Sequence, residues 1–255
     1  MLANYHTHTH RCRHARGSER EYVENAIKSG LQVLGFSDHS PQFFPNGYYS
    51  TFRMFPEQLD DYVQTVLALR QEYAGKIEIP LGLELEYYPA LLPQLLPILW
   101  DHPMDYLLLG QHFVGNEYDD RYTARPTEEL RLLEKYCDQT IEAMQTGLFS
   151  CLAHPDLVNF RGEQSVYVRN VRRICREAKS CGIPLEYNLL GLSEGKHYPN
   201  PRFWEVAAEE GCDVILGRDA HWPEALLDET HLRIAKDALE KLGITPLERL
   251  TLRNL

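Results

Sequence analysis

Histidines and carboxylates recur in this 255-residue chain wherever an apolar run stops. The first group is His6-Thr7-His8-Thr9-His10, followed by His14, directly after the apolar residues 2–5. Alternation along a strand turns His6, His8 and His10 to one side, where imidazoles can converge on a single ion. Later runs end in Asp38-His39, in Glu84 and Glu86, in His112, in His154-Pro155-Asp156 and in Asp219-Ala220-His221. Glu84 and Glu86 share a face of a regular strand, and only one of them is needed as a ligand. His10 is ambiguous, His197 lies in a loop near the same rim, and His102 and His231 have helical or helix-end surroundings that suit structural roles. One histidine at a strand end is commonplace, but a position shared by so many is hard to obtain from unrelated packing roles. Imidazoles mixed with hard carboxylate oxygens, and no thiolate among them, suit zinc, iron or manganese better than copper or an iron–sulfur cluster. The donors outnumber what one ion can use, so two or three divalent ions are expected. Such ions lower the pKa of bound water from about 15.7 towards about 7, which points to hydrolysis.

Positioning these groups requires strands that all end on one side of the molecule. Apolar runs at residues 31–37, 77–88, 106–113, 148–153, 183–188 and 212–216 follow the opening one. Between them lie helical patterns: Ser18-Glu19-Arg20-Glu21 is a capping box ahead of the stripe Tyr22, Val23, Ala26 and Ile27, and Pro56 starts a long amphipathic stretch to Tyr73. Further helices are expected over residues 91–100, 127–145, 165–180 and 203–210, with a terminal helix and short tail after Pro223. Strand–helix alternation implies parallel pairing, because parallel neighbours need crossover connections. About seven strands with reactive residues at their C-terminal ends favour a barrel over an open sheet. Three segments read as loops: a Pro- and aromatic-rich excursion over the site at residues 40–55, a polar loop at 114–125, and a Gly/His/Pro loop at 191–201. No repeat or linker divides the chain, so one domain over residues 1–255 is expected.

The net charge of −11 disfavours a broad nucleic-acid or anionic-membrane surface, so an anionic substrate would be met by metals and a few arginines. Six scattered cysteines without a CxxC read as reduced, buried thiols of a cytoplasmic protein. No run approaches the roughly 18 apolar residues of a membrane span, and no signal peptide is apparent.

The run HTHTH, the DH after the second strand, the GLE of the third, QH at the fourth, HPD at the fifth and DAH at the seventh resemble the polymerase and histidinol phosphatase (PHP) family. Its histidinol-phosphate phosphatase branch is the more similar one. The resemblance implies a distorted (β/α)7 barrel with a trinuclear centre. It implies one metal on His6, His8, Glu84 and Asp219, a second on His112 and His154 bridged by Glu84, and a third on His14, His39 and His221. Asp38 then orients a ligand histidine, Glu86 becomes a pocket or structural carboxylate, and His10 becomes a pocket or ligand-orienting residue. The implied substrate is a small phosphorylated metabolite, L-histidinol phosphate first, with sugar or nucleotide phosphates as alternatives. Arg53 and Arg161 are candidate phosphate clamps, and His197 or a metal-bound water is the candidate leaving-group acid. Two departures stand out: Arg218 where similar proteins commonly carry Ser, and Ser193-Glu194 where they commonly carry an arginine; Arg218 or Lys196 could supply that missing charge. An exonuclease, a non-catalytic metal-binding protein and an amidohydrolase are the competing classes.

Overall fold

The computed structural model describes residues 1–119 and 121–255; within the 114–125 loop, Asp120 lies outside the described residues. Seven parallel strands are present among them: β1 (Ala3–Asn4), β2 (Val33–Leu34), β3 (Gly82–Leu85), β4 (Tyr106–Leu109), β5 (Cys151–Leu152), β6 (Leu185–Asn188) and β7 (Val214–Gly217). β1 pairs with β2, and β3 to β7 form a sheet in chain order. Isolated bridges join the two sheets. Phe36 pairs with Leu81 and His39 with Glu84 beyond β2, while Thr7 pairs with Ala220 beyond β1 and β7. The last seam is sealed by His8 N donating to the Ala220 carbonyl (2.9 Å) and Ala220 N to the His6 carbonyl (3.1 Å). The result is a closed seven-stranded α/β barrel, as the strand–helix alternation predicts.

Eight helices clothe it among the described residues: α1 (Glu19–Lys28), α2 (Leu59–Glu72), α3 (Leu92–Trp100), α4 (Leu130–Gln145), α5 (Gln164–Cys181), α6 (Leu189–Ser193), α7 (Pro201–Glu210) and α8 (Glu229–Lys241). The capping box of α1 is made, with Ser18 N donating to Glu21 Oε2 at 2.7 Å, and Tyr22, Val23 and Ala26 are buried. The short α6 corrects the expectation of a plain loop after β6. Asn188 at the strand end accepts a hydrogen bond from Gly191 N (2.9 Å), and this side-chain cap starts a helical turn where Gly and Pro content suggested none.

Apolar side chains form two layers. The larger packs the strands against the surrounding helices, and the smaller fills the barrel interior with Ala3, Tyr5, Val33, Tyr106, Leu108, Cys151, Ala153, Ile215 and Leu250. Tyr106 spans that interior, its hydroxyl donating to the carbonyls of Tyr5 (2.6 Å) and Phe36 (3.1 Å). Leu250 belongs to the C-terminal tail, which runs beneath the N-terminal end of the barrel. There Leu247 N bonds the Val214 carbonyl (2.7 Å) and Arg253 N bonds Ser150 Oγ (2.8 Å). The opposite end is left open for chemistry.

Candidate metal centre

All nine strand-end histidines and carboxylates that the sequence singles out as ligands converge at the C-terminal mouth. His6 and His8 point inward from the continuation of β1, because Thr7 between them takes the bridge to Ala220. Glu84 sits in β3, His39 and His112 just beyond β2 and β4, and His154 beyond β5. Asp219 and His221 follow β7, and His14 follows a 3-10 turn over His10–Cys12. His154 and Asp219 adopt positive φ angles (29° and 48°), which turn their side chains inward at a conformational cost of about 1–3 kcal/mol each.

Ligand atoms approach one another without satisfying one another. Asp219 Oδ1 lies 3.1 Å from His8 Nε2 and 3.5 Å from His6 Nε2. Glu84 Oε2 lies 3.5 and 3.6 Å from the same two nitrogens. Tetrahedral donors about 2.0–2.1 Å from a zinc ion are separated by about 3.3 Å, so these four atoms have the spacing of a coordination shell. All four are buried and have no hydrogen bond, a state that costs roughly 1–3 kcal/mol per group unless a cation compensates it. Glu84 Oε1 faces away towards His154 Nε2 (2.8 Å) and His112 Nε2 (3.9 Å), so this carboxylate is shared between two clusters. On the other flank His14 and His221 oppose their Nε2 atoms at 2.8 Å, and together with His39 they form a third group of suitable spacing. The donor set therefore fits divalent metal ions.

Charge follows the same division. Burial opposes protonation of His6 and His8, but Asp219, Glu186 and Glu84 raise His6 well above its usual range, and Asp219 and Asp38 raise His8 to about 9. Glu84 and Asp219 are disfavoured as anions by burial, yet the surrounding imidazoles hold both well below the carboxylate range. Burial pushes His14, His39 and His221 down, which keeps them neutral and ready to coordinate. A divalent cation would take the place of the His6 and His8 protons.

Outer partners fix the rings. Asp38 lies 3.4 Å from His8 Nδ1 and accepts from His39 N (2.8 Å). Glu186 on β6 contacts His6 Nδ1 (2.8 Å) and accepts from His154 N (3.1 Å) and Asn188 Nδ2 (3.0 Å). Glu186 was not among the sequence candidates, although a lone carboxylate in the otherwise apolar stretch of residues 183–188 was the available signal. Glycines make room for both central carboxylates: a Cβ at Gly110 would collide with Glu84, and one at Gly217 with Glu186.

Above the ligands opens a cavity of about 750 Å3, lined by His14, His39, Glu84, His112, Asp219 and His221 at its floor. Its walls are aromatic, with Tyr48, Phe52, Phe113, Tyr118, Tyr122, Tyr198 and Trp222, and its charged side chains are Glu117, Arg125, Glu194 and Lys196. The aromatic excursion at residues 40–55 does lie over the site. Arg125 was not anticipated, because nothing in its local sequence distinguishes it from a surface arginine.

Several expected substrate contacts are corrected. Arg53 is buried and does not line the cavity; its guanidinium bonds Glu117 Oε2 (2.8 Å), Glu86 Oε1 (2.9 Å) and the Ser40 carbonyl (3.1 Å). Arg218 points outward to the carbonyls of Ala225 (3.1 Å) and Asp228 (2.6 Å) and to Glu229 (3.1 Å), securing the start of α8. Arg161 is exposed and lies outside the cavity lining. His197 also lies outside it, with Nε2 on the Leu157 carbonyl (2.6 Å). Lys196 does line the cavity and pairs with Glu194 at 2.8 Å. His10 faces solvent, because the 3-10 turn beginning at His10 ends the strand alternation that would have brought it inward.

The PHP domain model matches residues 4–189, which carry seven of the nine convergent ligands. The chain belongs to the PHP domain family. Within that family it is 33% identical over 231 residues to the probable histidinol-phosphatase of Deinococcus radiodurans, covering 87% of both chains. It is 23% identical over 246 residues to the histidinol-phosphatase of Bacillus subtilis, covering 85% of this chain and 92% of that one. Among solved structures, histidinol phosphate phosphatase from Lactococcus lactis complexed with zinc, L-histidinol and phosphate superposes with a TM-score of 0.74 over 98% of each chain, at 19% identity. That likeness shows the PHP barrel common to both.

Proposed function

We propose that the protein is a metal-dependent phosphomonoesterase that hydrolyses L-histidinol phosphate to L-histidinol and phosphate, a step of histidine biosynthesis. The reaction class rests on the sharing of Glu84 between two imidazole clusters at the floor of the cavity. The substrate rests on the histidinol-phosphatases that match the chain over most of its length. His6, His8, Glu84 and Asp219 would hold one ion, Glu84 with His112 and His154 a second, and His14, His39 and His221 a third, the ions being zinc, manganese or iron. Divalent ions held there would supply positive charge to the phosphoryl oxygens and a water of lowered pKa.

The chain's own residues do the rest. Glu186 and Asp38 hold the Nδ1 sides of His6 and His8, so that both Nε2 atoms face the centre. Arg125 and Lys196 bring positive charge to the cavity wall, where the phosphoryl group's remaining charge would lie. The aromatic walls exclude bulk water from the organic part of the substrate. Six free thiols, five of them buried, support a reducing, cytoplasmic setting.

The test is phosphate release by zinc- or manganese-loaded protein from L-histidinol phosphate against a panel of sugar and nucleotide phosphates. We expect kcat/KM for L-histidinol phosphate to lead the panel, and Glu84→Gln to lower it at least about 100-fold. Turnover of another ester but not this one would overturn the substrate; turnover of none would overturn the reaction.

A further inference from the structure

Three non-glycine residues among those described have a positive φ angle: His154 and Asp219, both in the ligand set, and Arg13 at 67°, which directly precedes His14. An arginine in the left-handed region is strained and persists there only when its surroundings hold it. Two sets of contacts do so. Its amide closes the 3-10 turn over His10–Cys12 by donating to the His10 carbonyl (3.0 Å). Its guanidinium reaches the excursion at residues 40–55, where Nη2 donates to the Ser50 carbonyl and to the Arg53 carbonyl (2.7 Å), and Cζ lies 4.4 Å from the centroid of the Phe55 ring. Those two carbonyls bracket Phe52, which lines the cavity with its ring centroid 5.2 Å from His39 and 6.4 Å from His14. His14 Nδ1 bonds the Cys12 carbonyl (2.9 Å), so its ring takes its direction from the same turn that Arg13 ends. The turn that presents His14 and the segment that presents Phe52 are therefore held by one side chain.

We propose that Arg13 is a positioning residue that joins the His14, His39 and His221 site to the roof of the cavity, seating Phe52 against two of its imidazoles so that an ion in that site and the ordered excursion stabilise each other. Such coupling is reciprocal: whatever loosens the excursion weakens the ion, and the ion in turn tightens the excursion. The inference rests on the third ion of the phosphatase reading and adds what governs its retention.

The experiment reads the ion and the excursion separately. Zinc binding is followed by competition with a chromophoric chelator, and the excursion by chymotryptic cleavage within residues 43–55 with two and with three equivalents of zinc bound. In the wild type the third equivalent should slow that cleavage at least about threefold. Arg13→Gly removes the clamp at a φ angle that glycine adopts freely, so the turn itself persists. It should weaken the third equivalent about tenfold or more, leave the first two within about twofold, and abolish the protection that zinc confers. Arg13→Lys, which keeps a cationic donor for the two carbonyls, should retain most of both effects; a merely structural role would weaken all three equivalents alike. An unchanged third equivalent in Arg13→Gly, equal weakening of all three, a wild type that binds only two ions, or wild-type cleavage insensitive to the third overturns the inference. No ester is present in either measurement, so failure of the phosphatase reading shows in the ester panel and failure of this one in the zinc titration and the cleavage.

Discussion

At the scale of single residues, Glu186 has the largest reach for a group outside the coordination set. It touches His6 Nδ1 and His154 N, and so braces one member of each cluster that shares Glu84. We expect Glu186→Gln to lower zinc affinity about 10–100-fold, measured by competition with a chromophoric chelator, with the folded far-ultraviolet dichroism retained. The convergence of the nine candidate ligands was legible from sequence because most of them stand at or just after the end of an apolar run. Their outer partners were less so, since Glu186 lies inside a strand and only the fold brings it against His6. The arginines show where local reading fails. Arg53 and Arg218 sit beside site segments in the chain, yet their guanidinium groups turn to Glu117 and Glu86 or to the start of α8. Adjacency in sequence fixes the backbone's place and leaves the direction of a long side chain to whichever acceptors lie nearby.

Elements matter through their ends. Glu84 lies within β3, whereas His39, His112, His154 and Asp219 lie beyond the paired segments of their strands, and β4 contributes space as well: Gly110, directly after Leu109, leaves the volume that the Glu84 side chain occupies. Gly110→Ala should therefore keep the strand but displace Glu84, lowering bound zinc per protein, measured by atomic emission, by more than half. It should also destabilise the fold by about 1–3 kcal/mol through overpacking. The strand order and most helices were readable from hydrophobic period and caps. The turn of α6 was not, because it depends on the Asn188 side chain closing onto Gly191 N, a contact that composition alone does not announce. The excursion at residues 40–55 was readable as ordered cover because its aromatics need apolar partners, and Tyr48 and Phe52 find theirs in the cavity wall.

For the molecule as a whole, the barrel has a chemical end and a structural end. Leu250 seals the latter among Tyr5, Tyr106 and Ile215, far from the ligands. Leu250→Ala should cost about 2–5 kcal/mol, seen as a lower midpoint in urea, with kcat unchanged once the protein is folded. Closure through the Thr7–Ala220 seam also carries a consequence for how the protein is made. His14 and His221 face each other from positions 207 residues apart, and His6 and His8 wait for Asp219 in the same way. On a ribosome the early imidazoles are translated long before their partners, and pairing at such separation is slow to reward the chain for closing its loop. The centre would thus be completed only after residues 219–221 have been made and folded back, so the early imidazoles alone could not select its ions.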